Sequence, residues 1–178
     1  MKKLLILFLA VFVLASCHKK PAGASDSSFE NFVLPSASGP AWNFTEQSKS
    51  RPVVIAFMAT YCPYCKQMVP YLDNIAKQYQ YKNVDVVIAL VEDDPEEVKN
   101  FIRTQDVRNA KVVYDAGDLA MTLGIRAFPQ IFLFDERTDT AGTWPGFDAS
   151  YADSIRAHLD AVLSAPPAQK ASKPLGSV

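Results

Sequence analysis

The chain has 178 residues, a formal net charge of −1, 49% hydrophobic and 21% charged residues, which allows one domain with a buried core. No dense Lys/Arg block interrupts its interior, so the charge pattern argues against a nucleic-acid partner. Three cysteines, Cys17 alone and Cys62 with Cys65 as a spaced pair, exclude a disulfide-stapled mini-domain.

Residues 1–16 read as a signal segment outside the fold. Lys2 and Lys3 give a positive start, and an apolar stretch over residues 4–14 is of signal-peptide length and short for a bilayer span. It closes in Leu14-Ala15-Ser16-Cys17, which resembles the bacterial lipobox, where a cysteine after a small residue is lipidated and becomes the new N-terminus. The alternative is an ordinary signal cleaved near Ser16. Without Lys2 and Lys3 the chain keeps 16 basic against 19 acidic side chains, about −3. Residues 17–28, with Lys19, Lys20, Pro21 and Gly23 and no apolar period, read as the lipidated Cys17 and a tether. Fully extended, the part after Cys17 reaches at most ~40 Å.

The folded domain is expected over residues 29–164. Apolar runs at 29–34 and 41–44, separated by Pro35-Ser36-Ala37-Ser38-Gly39-Pro40, predict a hairpin, followed by a turn over 47–51. Residues 52–59 form a continuous apolar run of the kind seen in central strands. From Cys62 to about Tyr81 the spacing becomes helical, with Cys65, Met68, Val69, Leu72, Ile75, Ala76 and Tyr79 on one stripe and Pro70 expected to kink it. A second buried-type strand is expected over 84–91. Asp94-Pro95-Glu96-Glu97 then opens a helix running to about Gln105. A short strand at 111–114, a short helix at 118–123 stopped by Gly124, and a hairpin of 131–135 with 141–145 follow. Asp148 or Ser150 caps a last helix carrying Tyr151, Ile155, His158, Leu159 and Val162. The Pro/Ala/Ser/Lys-rich residues 165–178 read as a disordered tail. Alternating strands and helices make an α/β layered domain.

The chemistry concentrates at Cys62-Pro63-Tyr64-Cys65. A thiolate rather than a thiol attacks a disulfide, and a helix start lowers a cysteine's pKa. Cys62 is therefore the expected nucleophile, with Cys65 one turn deeper to resolve the mixed disulfide. Pro63 suits a helix start, Tyr64 places a ring beside the sulfurs, and Lys66 adds a nearby charge. Three other readings compete. Half of a zinc site would need further ligands, yet the histidines are His18 in the tether and His158 on a helix face. A structural disulfide closing so short a loop would constrain the unfolded chain little. Two buried core thiols are the third reading.

Phe57-Met58-Ala59-Thr60-Tyr61-Cys62-Pro63-Tyr64-Cys65, followed by Pro70, resembles the Phe-Trp-Ala-x-Trp-Cys-x-x-Cys signature of thioredoxin-fold proteins. Phe128-Pro129 before a strand is similar to the segment that carries a cis-proline facing the disulfide in that fold. An X-Pro bond is ordinarily trans, so a cis Pro129 is what the resemblance implies. The N-terminal hairpin and the helix-strand piece over about 95–114 resemble the TlpA/ResA-like branch of membrane-anchored members. The resemblance implies a thioredoxin fold with an N-terminal β-hairpin and an inserted helix-strand between the second and third core strands. It also implies a thiol:disulfide oxidoreductase, mostly of reductase type, with Cys62 and Cys65 catalytic and Pro63, Tyr64, Phe128 and Pro129 in support. No metal and no cofactor beyond the redox-active Cys62–Cys65 disulfide is expected. Partners would be exported protein thiols and disulfides, a DsbD/CcdA-type membrane electron donor (a DsbB-type partner for an oxidant), and a membrane of the cell envelope through the lipid anchor; no nucleic acid is expected.

Several positions depart from the pattern. The buried acid that thioredoxins carry six residues before the first Cys is Ala56, and the Glu that cytochrome-maturation members carry three residues after the second Cys is Met68. Gln130 stands for the usual Thr after the cis-proline, and Met58 for Trp. The missing acid weighs against fast reduction, because it should slow deprotonation of Cys65. The Pro-Tyr dipeptide is that of glutaredoxins, but no glutathione-binding pattern accompanies it. The peroxiredoxin Pro-x-x-x-Thr-x-x-Cys pattern fits neither Cys62 nor Cys65. A non-catalytic binding or chaperone-like module, using the groove near Pro129, is the alternative from another class.

Overall fold

The computed structural model describes residues 32–92 and 94–165. In chain order it contains β1 (Val33–Leu34), β2 (Trp42–Asn43), α1 (Phe44–Ser48), β3 (Val53–Met58), α2 (Pro63–Tyr79), β4 (Asp85–Leu90), α3 (Pro95–Gln105), β5 (Lys111–Val113), α4 (Gly117–Thr122), β6 (Gln130–Phe134), β7 (Thr140–Pro145) and α5 (Tyr151–Ser164). The expected signal segment, Cys17 with its tether, and the tail beyond Ala165 lie outside the described residues.

Five strands form one sheet in the order β5-β4-β3-β6-β7. β3, β4 and β5 run parallel, while β6 and β7 are antiparallel to their neighbours. Every residue of β3 is buried. The reason lies in the two layers covering the sheet. Val54, Ala56 and Met58 face a core made by α2, α3 and α5. Val53, Ile55 and Phe57 face the other side, packed with Leu34, Trp42, Phe44 and the α4 residues Leu119 and Ala120. This is a thioredoxin fold, with α3 and β5 inserted between β4 and β6 and the β1–β2 hairpin on the second face.

Among the described residues the hairpin is short, and residues 29–31 of its first expected run lie outside them. Two residues of each strand pair, Val33 with Asn43 and Leu34 with Trp42. Phe44 begins a helix instead of ending a strand, because the Asn43 side chain accepts the Glu46 amide and caps α1. Gln47 and Ser48 of the expected 47–51 turn therefore belong to the helix, and residues 49–51 make the turn. The loop leaving β1 bonds to the sheet edge: the Ala37 N–H donates to Val112 O and the Tyr114 N–H to Pro35 O. An edge strand with unpaired backbone groups is thereby covered.

α2 runs unbroken through Pro70, whose missing N–H leaves the Lys66 carbonyl without its intrahelical donor. Asp94 caps α3 by accepting the Glu96 amide, with Pro95 in the first turn. At the start of α5, Asp148 holds the Ser150 amide and hydroxyl, and Ser150 makes no side-chain cap bond of its own.

Candidate active site

β3 ends at Met58, and antiparallel pairing sets Phe57 opposite Gln130 at the start of β6. The loop carrying Cys62 therefore leaves the sheet beside the Phe128–Pro129 segment. Cys62 is the N-cap of α2, one residue before the helix rather than in its first turn. Its Sγ accepts the Cys65 N–H at 3.2 Å and sits 3.7 Å from the Phe128 carbonyl, to which the thiol donates. The Phe128–Pro129 bond is cis, and the buried Pro129 gives its carbonyl to Gly146 N–H at 2.8 Å.

The two thiols differ sharply in environment. Both are free, Cys62 partly exposed and Cys65 fully buried. Burial pushes the Cys65 thiol far above the ordinary cysteine value, helped by its bond to Cys62 and by the negative charge of Glu92, while the Ala59 amide pulls it down. Pro63 and the rings of Tyr61 and Tyr64 lie exposed on either side of Cys62 in sequence. Lys66 is exposed on α2. Gln130 turns its amide onto the Thr143 hydroxyl of β7 at 2.8 Å. Cys62, Cys65 and the Phe128–Pro129 segment are thus brought together, Pro63 and Tyr64 follow Cys62 along the chain, and Cys17 lies outside the described residues. His158 is a helix-face residue bonded to the Ser154 carbonyl and edge-on to Trp144.

Ala56 and Met68 are buried apolar groups in the cluster that holds Cys65. Acids reach the site from elsewhere. Val91 N–H donates to Met58 O, which carries the β3–β4 pairing past the strand ends and brings Glu92 beside Thr60. Glu92 Oε1 accepts the Thr60 N–H at 2.7 Å and lies 3.1 Å from Thr60 Oγ1. Glu97, in the first turn of α3, bonds to the same hydroxyl. Sequence reasoning read Glu97 as a helix-opening acid and passed over Thr60 and Glu92 as chemistry. The available signal was the placement of Thr60 and Glu92 just beyond the ends of two neighbouring apolar strands.

The Redoxin family model matches residues 24–139, more than half of the chain. The chain belongs to the Redoxin family. Within it, the chain is similar to the thiol-disulfide oxidoreductase ResA of Bacillus thuringiensis subsp. konkukian, 26% identical over 106 residues, which are 60% of this chain and 61% of the relative. The match thus spans about three fifths of that relative's length. Among solved structures, a thiol:disulfide interchange protein DsbE from Chlorobium tepidum, described as putative, superposes with a TM-score of 0.69 at 20% identity, covering 76% of this chain and 95% of that one. The exposed lipoprotein thioredoxin of Streptococcus pneumoniae superposes at 0.63 with 26% identity, covering 73% and 98%. This Redoxin chain has the thioredoxin fold and is similar to ResA.

Proposed function

We infer that the chain is a thiol:disulfide oxidoreductase acting on exported proteins, working as a reductase. The observation carrying this reading is the asymmetry of the dithiol: Cys62 half-open at the N-terminus of α2 beside Phe128 and Pro129, with Cys65 buried behind it. Cys62 attacks a substrate disulfide and Cys65 resolves the mixed disulfide. Two electrons leave the Cys62–Cys65 dithiol, which becomes a disulfide, and the substrate leaves as two thiols. The ResA relative is named a thiol-disulfide oxidoreductase, which supports the class. The reductase direction is the one that the resemblance to the TlpA/ResA-like branch implies. A DsbD/CcdA-type membrane donor would return the electrons. Lipidation of Cys17 would hold the domain at a membrane of the bacterial envelope, facing the periplasm. The pneumococcal neighbour, described as an exposed lipoprotein, lends support to that address. No helix among the described residues is long and apolar enough to cross a membrane.

Insulin-disulfide reduction should vanish in Cys62→Ser, and Cys65→Ser should accumulate covalent mixed disulfides with its targets. Full activity in Cys62→Ser, or only non-covalent partners in Cys65→Ser, would replace the enzyme with a binding module. A redox potential near ~−270 mV is expected, and one near ~−120 mV would reverse the direction to that of a DsbA-like oxidase. Mass spectrometry of the mature protein should find an acylated Cys17 at the N-terminus; an unmodified thiol there removes the anchor.

A further inference from the structure

The resolving step requires Cys65 to lose a proton while buried in an apolar cluster. Glu92, whose charge acts on the Cys65 thiol, is linked by hydrogen bonds through Thr60 to Glu97 at the surface. Thr60, itself buried, is gripped at its amide by Glu92 Oε1, one residue along from the Ala59 amide that bonds the Cys65 thiol. Glu92 Oε2 is buried and has no hydrogen-bond partner among the described residues. A carboxylate oxygen left dry in this way is costly unless it has a proton to accept. The Thr60 hydroxyl meets two carboxyl oxygens, one from Glu92 and one from Glu97, yet a hydroxyl has a single proton to donate. Both contacts are favourable together when one carboxyl donates into the hydroxyl while the hydroxyl donates to the other. Glu97 is exposed and lines an open cavity of about 250 Å³ with Thr60, Tyr61 and Lys66.

We propose that Glu92 takes the proton Cys65 must lose, and that Thr60 and Glu97 pass it to solvent, so that an acid from the β4–α3 connection does the work for which positions 56 and 68 carry no acid. The proposal rests on the reading that Cys65 resolves a mixed disulfide. In the step itself, the Cys65 proton moves to the Glu92 carboxylate, the Cys65 thiolate bonds to Cys62 Sγ, and the bond from Cys62 to the substrate sulfur breaks. The departing thiolate takes up a proton from solvent, and Glu92 releases its own through the Thr60 hydroxyl to Glu97. Among the described residues, the charged or titratable groups tied to Glu92 are Cys65, on which its charge acts, Glu97, which shares the Thr60 hydroxyl, and Asp115, whose amide donates to the Glu92 carbonyl at 2.8 Å; Tyr61 and Lys66 line the cavity that Glu97 and Thr60 share.

The test separates the two thiol steps. Reduced protein mixed with one equivalent of 5,5′-dithiobis(2-nitrobenzoate) releases one coloured thiolate when Cys62 attacks and a second when Cys65 resolves; both bursts are followed by stopped flow across about pH 5–9. Glu92→Gln should leave the first burst unchanged and slow the second roughly 100-fold near neutrality, the deficit closing as pH rises. Glu92→Asp should recover part of the rate. Thr60→Val, which keeps the amide bond to Glu92 and cuts the path to Glu97, should slow the second burst less. A second burst in Glu92→Gln that is unchanged or faster overturns the proposal, the faster result meaning that the Glu92 charge only raises the Cys65 pKa. Equal slowing of both bursts also overturns it, as damage to the fold. A second burst that persists in Cys65→Ser overturns the oxidoreductase reading itself, along with the proposal.

Discussion

Cys62 and Cys65 share a motif but stand in different media. Cys62 caps a helix, with its sulfur on the Cys65 amide and the Phe128 carbonyl; Cys65 has no solvent exposure and burial holds its thiol protonated. In the reduced protein near neutral pH, iodoacetamide should label Cys62 and spare Cys65, as peptide mass spectrometry would read; equal labelling would mean that the burial of Cys65 is not maintained in solution. The spacing of these cysteines after an apolar run and before a helical stripe was legible because a strand-to-helix turn is local. The link from Thr60 to Glu92 was not. It depends on a parallel register that sets Met58 opposite Leu90, and no local rule relates those two residues.

The long elements followed their hydrophobic periods, since β3 and α2 bury a full strand and a full stripe. α1 escaped because one helical turn carries too few apolar positions to show a period, although Asn43 and Glu46 stand at capping-box spacing. The connection between α3 and β5 is tied to α2 by one carboxylate. Asp73 accepts the amides of Arg108, Asn109 and Ala110 and the Asn109 side chain, at 2.7–2.9 Å. Partial burial alone would raise its pKa, but these amides outweigh it and hold the carboxyl below the ordinary value. A carboxyl whose pKa is depressed on folding stabilises the protein at pH above its unfolded value, and that share is lost as pH falls through the folded one. Asp73→Ala should therefore cost about 1 kcal/mol near neutrality, read from denaturant midpoints, and the gap to wild type should close in acid. A gap independent of pH would assign the effect to packing.

Across the whole molecule, the sheet works because each face has its own cover. The second cover is small and leans on Trp42, which is buried, stands edge-on to Phe44, and donates its indole N–H to Asp85 at 3.2 Å. Phe44 in turn packs edge-on against Phe134 of the sheet. Trp42→Ala should lower unfolding free energy by about 3–5 kcal/mol, measured by chemical denaturation; a loss well under 1 kcal/mol would mean that the hairpin is not part of the cooperative fold. By itself the sequence determined the dithiol, its placement between strand and helix, and the α/β layering, because motif spacing and hydrophobic period are properties of neighbours along the chain. That Phe128 would meet Cys62 came from the resemblance and not from any local pattern, and tertiary structure alone decided that Glu92 and Glu97 would meet at Thr60. Those contacts are set by strand register and by the docking of α3, which join residues 32 to 66 positions apart.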